Sequence, residues 1–534
     1  MGENRRVQTV LGVDFGTQSA RAVLVNTQNG QVLASHRVEY TKPEPTKPEI
    51  DCPENLPSAA DYETALYEVL EHAVPEQWKE SVAGICVDAT SLTLVALAED
   101  GCPVSELPEF RHDPHARVKL WKYHRAQEKA EEALKLAREL KEPFLKRSCD
   151  FISCEWTLPK LLEIRDEAPE IYKKIDVVLD LCEFLTYRLT GEVIRSMGSM
   201  CYKGLWFPDL GFPSRGFLDD LRPGFYEEYC RMLRGEVRKP GEMAGVLLPE
   251  LCQRMSLPEG IPVAAGLLDG HTSLAVLGAF KPGDASLVVG TSNVLTVQCT
   301  QLREVKDVCG IAQDGMVAGA CGIDAGQSGT GNMLGWYLEH MADWRVHQEA
   351  KDRNVSEHQL LAERIRNPWQ NKVVAADWWS GSRNAPCDLN LQGGMLGLTM
   401  DTRTEDIYLA LLQSIACGTR AILDSLAEQG IEVCRILAAG GIAEKNPLLM
   451  QEYANLMNRT VLVGRIKEGP AVGAAIYSAV AAGLFKNLSE AYENMGVREF
   501  TVYEPDQIHR EAYDTLYLKN LTLRNCLISL KGNI

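Results

Sequence analysis

The segment Thr9-Val-Leu-Gly-Val-Asp-Phe-Gly-Thr-Gln-Ser-Ala-Arg-Ala-Val-Leu-Val25 places two apolar runs on either side of a small polar tip. Far along the chain, Asp284-Ala-Ser-Leu-Val-Val-Gly-Thr-Ser-Asn-Val-Leu-Thr-Val297 repeats the design. Each pattern predicts a β-hairpin turning on Gly-Thr. The two tips, Gly16-Thr17 and Gly290-Thr291, lie about half the chain apart, which predicts two related domains. One such hairpin alone is no more than a turn; two matching copies point to a shared ligand. Gly16 and Gly290 let the backbone approach that ligand closely. Successive N–H groups and the hydroxyls of Thr17, Ser19, Thr291 and Ser292 suit phosphate oxygens.

Between the hairpins the pattern predicts strands at Val82–Val87 and Leu92–Leu97. It also predicts a charged helix from about His124 to Lys141, and helices around Leu158–Glu167 and Val177–Thr190. The Pro-rich piece Lys42–Pro57 reads as a surface loop, and Pro258–Pro262 as the domain boundary. In the second half a long helix runs from about Glu405 to Gln429, and another follows Gly469-Pro470. Strand Arg435–Ala438, the pair Gly440-Gly441 and a helix over Leu448–Asn458 form a platform of the kind that receives a nucleotide.

Length agrees with a division, since 534 residues exceed one hydrophobic core. The formal charge of −18, from 55 Lys and Arg against 73 Asp and Glu, argues against a nucleic-acid or anionic-membrane partner. It does not exclude a phosphate site built from backbone. The apolar stretch Pro470–Phe485 falls short of the ~20 residues a membrane span needs. No secretory leader is expected at the start. Sixteen scattered cysteines without CxxC spacing read as reduced thiols, which suits a cytoplasmic protein.

Asp14-Phe-Gly-Thr17, Gly290-Thr291-Ser292 and Gly440-Gly441 with Asn446-Pro447, in that order, resemble the FGGY carbohydrate kinases of the actin-like ATPase superfamily. The resemblance covers nearly the whole chain. It implies an α/β fold of two actin-like (ribonuclease H-like) ATPase domains around a central cleft. Residues 1–260 would mainly bind sugar and 261–534 mainly ATP. Three stretches narrow the likeness, Pro108-Glu-Phe with Leu120-Trp-Lys-Tyr-His124, Cys201-Tyr-Lys-Gly-Leu-Trp206 and Asp377-Trp-Trp-Ser-Gly-Ser-Arg-Asn-Ala385, and Leu267-Leu-Asp-Gly-His271 and Asp324-Ala-Gly-Gln-Ser328 accompany them. They resemble the branch that phosphorylates the 5-hydroxyl of ribulose with Mg·ATP in arabinose catabolism. L-ribulose is favoured and D-ribulose stays open. Kinases of xylulose or ribitol, a silent sugar- or nucleotide-responsive scaffold and a motile ATPase are the alternatives.

By the same resemblance, Asp269 is the general base and Asp14 holds Mg²⁺. Ala89, Trp121, Lys203, Asp269 and Asp324 contact the sugar. Gly16, Thr17, Ser19, Arg21, Thr291, Ser292, Gly331, Gly440, Gly441 and Asn446 contact ATP. Family members are often homodimers. Two positions depart from the pattern. Trp121-Lys122-Tyr123 lacks the wider family's Trp-x-Asp carboxylate, and Asp324 stands where that branch usually has Glu.

Overall fold

The computed structural model describes residues 7–40, 57–121, 123–384 and 386–531. The loop expected over Lys42–Pro57 lies almost entirely outside them, as does Lys122. The chain forms an α/β protein of two lobes, each built on a seven-stranded sheet. The first sheet contains β1 (Thr9–Phe15), β2 (Ser19–Asn26), β3 (Val32–Glu39), β4 (Val82–Ala89), β9 (Met243–Val246), β10 (Pro262–Ala264) and β11 (Leu267–Leu268). Two small sheets lie beside it: β5 (Leu94–Leu97) with β6 (Val177–Asp180), and β7 (Ile194–Ser196) with β8 (Glu236–Arg238). The second large sheet contains β12 (Asp284–Val289), β13 (Asn293–Cys299), β14 (Gly310–Gln313), β15 (Cys321–Gln327), β18 (Arg435–Ala439), β19 (Val461–Gly464) and β20 (Phe500–Tyr503). Strands β16 (Val374–Ala376) and β17 (Gly394–Leu396) form a separate pair.

The repeat in the sequence is a repeat of topology. In the first sheet β3-β2-β1-β4-β10 run antiparallel, antiparallel, parallel, parallel. In the second, β15-β13-β12-β18-β19 follow the same pattern. All seven residues of β1 are buried, as expected of a central strand covered on both faces. Edge strand β3 alternates partly buried with exposed positions instead.

Two helices cross between the lobes. The helix Asp269–Leu277 leaves the first sheet after β11 and packs against β12, β13 and β18 of the second. The helix Gly469–Ala481 leaves the second sheet after β19 and packs on β1, β2 and β4 of the first. They also pack on each other. The approach is so close that a Cβ at Gly12 would lie 1.8 Å from the Ala471 carbonyl oxygen. Gly12→Ala is therefore expected to destabilise the protein by about 1–3 kcal/mol, read as a lower urea midpoint, because the clash is with backbone. An unchanged midpoint would mean this packing adjusts freely.

Two expectations need correction. The boundary read at Pro258–Pro262 falls inside the first sheet: β10 and β11 both pair with β4. The change of sheet comes between Leu268 and Asp284. The helix read over Val177–Thr190 opens with β6, which takes the edge of β5. The helix proper is Leu181–Thr190, and Asp180 caps it by accepting from the Leu181 N–H. An apolar run of three, Val177–Leu179, suits either state, and the open strand edge decides it.

The helix Thr404–Glu428 has the length and apolar composition of a membrane span, yet 78% of its most apolar window is buried inside the protein. The fifteen described cysteines are all free thiols.

Candidate active site

A cavity of about 240 Å³ opens between the lobes. On its floor three parallel strands end side by side. Register pairs Asp14 of β1 with Asp88 of β4, and Asp88 with Leu267 of β11, two residues before Asp269. Neighbouring strands lie ~4.8 Å apart, so three carboxylates converge there. Asp88 is fully buried, with its carboxyl against that of Asp14. Burial, followed by Asp14 and Asp269, pushes its carboxyl well above the usual range. Burial also pushes Asp14 up, against the pull of Arg21. Arg21 Nε lies 3.2 Å from Asp14 Oδ2, and its guanidinium also pairs with Glu468.

Asp269 begins the crossing helix at the cavity wall, and its Oδ1 accepts the Gly270 N–H at 2.7 Å. Facing it are the two hairpin tips. Thr17 lines the cavity from the first lobe, and Gly290, Thr291 and Ser292 line it from the second. Gly16 N–H donates to Ser19 O at 3.1 Å, and Gly290 N–H to Ser292 O at 3.0 Å. The second tip is braced from behind. Gly331 N–H donates to Gly290 O at 3.2 Å, and Thr330 Oγ1 donates to Gly290 O at 3.0 Å. A Cβ at Gly331 would lie 2.6 Å from that same oxygen. Gly440 follows β18 with φ +110, and a Cβ there would lie 2.5 Å from Val289 O. Only glycine combines that backbone with that contact.

The rest of the wall is charged and buried. Lys203 Nζ lies 3.0 Å from Asp324 Oδ2, joining the lobes. His271 Nε2 stands 3.7 Å from Asp324 Oδ1. Burial opposes both charges, but Lys203 and His271 hold the Asp324 carboxyl well below its usual range, and Asp324 keeps the Lys203 ammonium above its own. Arg383 Nη2 donates to Glu155 Oε1 at 2.8 Å, again across the lobes. Its guanidinium lies 5.7 Å from the centre of the Trp121 ring.

Behind this wall Lys160 is fully buried. Its Nζ donates to the carbonyls of Leu92 at 2.7 Å and Leu120 at 2.8 Å, beside the cavity residues Ser91, Leu92 and Trp121. Burial pulls its pKa down to about 7. Lys160→Met is expected to cost about 2–3 kcal/mol, since it strands buried carbonyls, and to raise the KM for the acceptor. Unfolding and steady-state kinetics check both; an unchanged KM would free Lys160 from any part in shaping the site.

The cavity thus gathers Thr17, Trp121, Lys203, Asp269, Asp324, Thr291 and Ser292 of the residues read from sequence. Ala89 is buried at the end of β4, and its successors Thr90, Ser91 and Leu92 line the wall instead. Ser19 is buried and accepts from Arg37 Nε at 3.1 Å. Arg21 is committed to Asp14 and Glu468. Asn446 caps the helix Pro447–Met457 through the Leu449 N–H and donates to Tyr408 Oη at 3.2 Å. Sequence reading missed Asp88, Glu155, His271 and Arg383 as site residues. Asp88 carried a signal, an acid ending an apolar strand like Asp14. Arg383 lies in the stretch Asp377–Ala385 that carried the family likeness, but its pairing with Glu155 spans 228 residues and had no local signal.

Both lobes match known family descriptions: the N-terminal domain of the FGGY family of carbohydrate kinases over residues 9–207 and the C-terminal domain over 285–482. A ribulokinase of Halalkalibacterium halodurans is 36% identical over 529 residues, covering 96% of this chain and 94% of that protein. A ribulokinase of Mycolicibacterium smegmatis is 35% identical over 531 residues, covering 97% and 93%. Among solved structures, a xyloylose kinase from Brucella ovis superposes with a TM-score of 0.79 at 21% identity, covering 98% of this chain and 100% of that one. Plasmodium falciparum glycerol kinase with ADP superposes with a TM-score of 0.75 at 18% identity, covering 97% and 98%. These structures share the fold of two actin-like lobes.

Proposed function

The chain belongs to the FGGY family of carbohydrate kinases, and from that premise we propose that it transfers the γ-phosphoryl group of ATP to the 5-hydroxyl of ribulose, L-ribulose being the favoured acceptor. The observation that carries this reading is one cavity in which a half-buried carboxylate, Asp269, faces two Gly-Thr tips and a buried Lys203–Asp324 pair. The full-length likeness to ribulokinases supplies the acceptor.

Phosphoryl transfer asks little covalent chemistry of a protein, so positioning and charge carry it. The sugar lies on the Trp121, Lys203 and Asp324 wall, where an aromatic face meets C–H groups and charged atoms meet hydroxyls. Asp269 accepts the proton of the attacking hydroxyl. N–H groups and hydroxyls of the tips, from Thr17, Thr291 and Ser292, surround the transferred group, and Gly16 lets the first tip approach it closely. Gly331, Gly440 and Gly441 form the shelf for the rest of ATP, with Asn446 fixing its rear edge. Ser19 and Arg21 act by shaping the first tip and holding Asp14. Closing the lobes excludes water, which protects ATP from hydrolysis.

Mg²⁺ is typical of the family, and the donor set fits it. Asp14, with the buried Asp88 carboxyl beside it, offers the oxygen ligands a hard cation prefers. Asp14 would hold the ion, which when bound neutralises charge on the phosphates.

A coupled ADP-release screen over L-ribulose, D-ribulose, L-xylulose, D-xylulose and ribitol tests the acceptor. The ribuloses, with the L form first, should stimulate release most. A xylulose or ribitol favoured by about ten-fold would overturn the assignment.

A further inference from the structure

Two backbone carbonyls of the second tip, those of Gly290 and Thr291, are each held from behind by two hydrogen bonds. Gly290 O accepts from Gly331 N–H at 3.2 Å and from Thr330 Oγ1 at 3.0 Å. Thr291 O accepts from Asn332 N–H at 3.2 Å and from the same Thr330 hydroxyl at 2.9 Å. A hydroxyl has one proton, so Thr330 shares it across both carbonyls. Thr330 stands at the N-cap of the helix Gly331–His340, where a threonine side chain ordinarily accepts an N–H of the first turn, yet it makes no such bond. Asn332 Oδ1 takes that part instead, accepting from Met333 N–H at 2.8 Å and from Thr330 N–H at 2.9 Å. The Thr330 hydroxyl is thereby released to the tip. Its place is tightly set: Thr330 is fully buried, and a Cβ at the preceding Gly329 would lie 2.4 Å from the Asp377 carbonyl oxygen.

We propose that Thr330 is a positioning residue for phosphoryl transfer, its hydroxyl aiming the Thr291 and Ser292 N–H groups at the transferred group. The inference rests on the sugar-kinase reading above and adds to it a residue that touches no ligand. In a planar trans peptide the carbonyl and the N–H of the next residue point in opposite directions. The Gly290 carbonyl therefore sets the Thr291 N–H, and the Thr291 carbonyl sets the Ser292 N–H. With both carbonyls drawn back onto Thr330, both N–H groups face the cavity that Thr291 and Ser292 line. Donors fixed in place before charge develops stabilise it without reorganising. The backbone donors of Gly331 and Asn332 hold the turn even without the hydroxyl, so the share of Thr330 is alignment rather than folding.

The test compares the full chain with Thr330→Val, which exchanges the hydroxyl for a methyl of similar size, and with Thr330→Ser, which keeps the hydroxyl. Coupled ADP release gives kcat and KM, calorimetry gives the ADP affinity, and thermal unfolding gives Tm. Thr330→Val should lower kcat about ten-fold, less than the roughly 10²–10³ that loss of a whole donor costs. The acceptor KM and the ADP affinity should stay within about two-fold, the signature of an interaction made only in the transition state. Thr330→Ser should keep kcat within about three-fold of wild type. A lower Tm with unchanged kcat in Thr330→Val, or equal losses of kcat in both variants, would overturn the proposal. Should the valine variant not fold, Thr330→Cys takes its place; its thiol is a weaker donor and should lower kcat about three-fold. Hydrolysis of ATP to ADP and phosphate without acceptor reads the same donors and separates the two readings. If no pentulose or pentitol accepts phosphate, the acceptor assignment falls; a hydrolysis rate about ten-fold lower in Thr330→Val still supports the role of Thr330, and an equal rate overturns it. A wild type that turns over ATP in neither assay overturns both.

Discussion

Asp269→Asn is expected to lower kcat by roughly 10²–10⁴ while leaving ADP affinity unchanged, the usual range for loss of a general base. The Asp269 Oδ1 that accepts the Gly270 N–H has an equivalent in the asparagine amide oxygen, so the start of the crossing helix is kept. What is lost is the capacity to take a proton. The glycines of the nucleotide shelf, Gly331 and Gly440, contact Gly290 and Val289 rather than Asp269, so the nucleotide should bind as before. Coupled ADP release gives kcat, and calorimetric titration with ADP gives the affinity. Turnover within a few-fold of wild type would remove Asp269 from proton transfer. A parallel loss of ADP binding would show that the substitution had disturbed the cleft as a whole.

Lys203→Met is expected to cost about 3–5 kcal/mol of stability, because it leaves Asp324 buried without its principal partner. His271 at 3.7 Å remains near that carboxylate. The double variant Lys203→Met with Asp324→Leu should recover most of the loss, since removing both charges removes the uncompensated one. The pH dependence has a definite sign. In the wild type the Asp324 pKa is depressed, so its stabilisation is full above its ordinary value near 3.8 and is lost as pH falls below that. In the variant, burial acts on Asp324 without the Lys203 ammonium to oppose it, so its pKa rises and protonation relieves the penalty. The gap in Tm between variant and wild type should therefore shrink from pH 7 to pH 4. A gap that stayed constant would place the loss in packing rather than charge. Glu155, held down to about 2 by Arg383 and His124 against its burial, adds a second acid-sensitive contact between the lobes. Its contribution is complete above about pH 4.5 and fades as pH approaches 2.

The amino-acid sequence by itself determined what short-range physics writes. Apolar runs around Gly-Thr fixed the hairpins at residues 9–26 and 284–299, and their repetition announced two lobes of one topology. Helical periodicity placed Gln127–Leu140, Thr157–Glu167 and Thr404–Glu428 to within a few residues. The family likeness then pointed to Asp269, Lys203 and Asp324, and the fold brings all three to one cavity. Other features belong to the tertiary structure alone. Val177–Asp180 became a strand because β5 offered an open edge. The first sheet runs on to Leu268 because β10 and β11 take places beside β4, whatever the prolines at 258 and 262 suggest. Arg21, Ser19 and Asn446 have polar atoms that find partners within the chain. Asp88 gained its meaning only when parallel register set it between two other acids. Glu155 and Arg383 gained theirs only when the lobes met. Local pattern follows from each residue's neighbours in sequence, whereas burial and charge pairing depend on which distant strands and loops fold to within a few ångströms of one another.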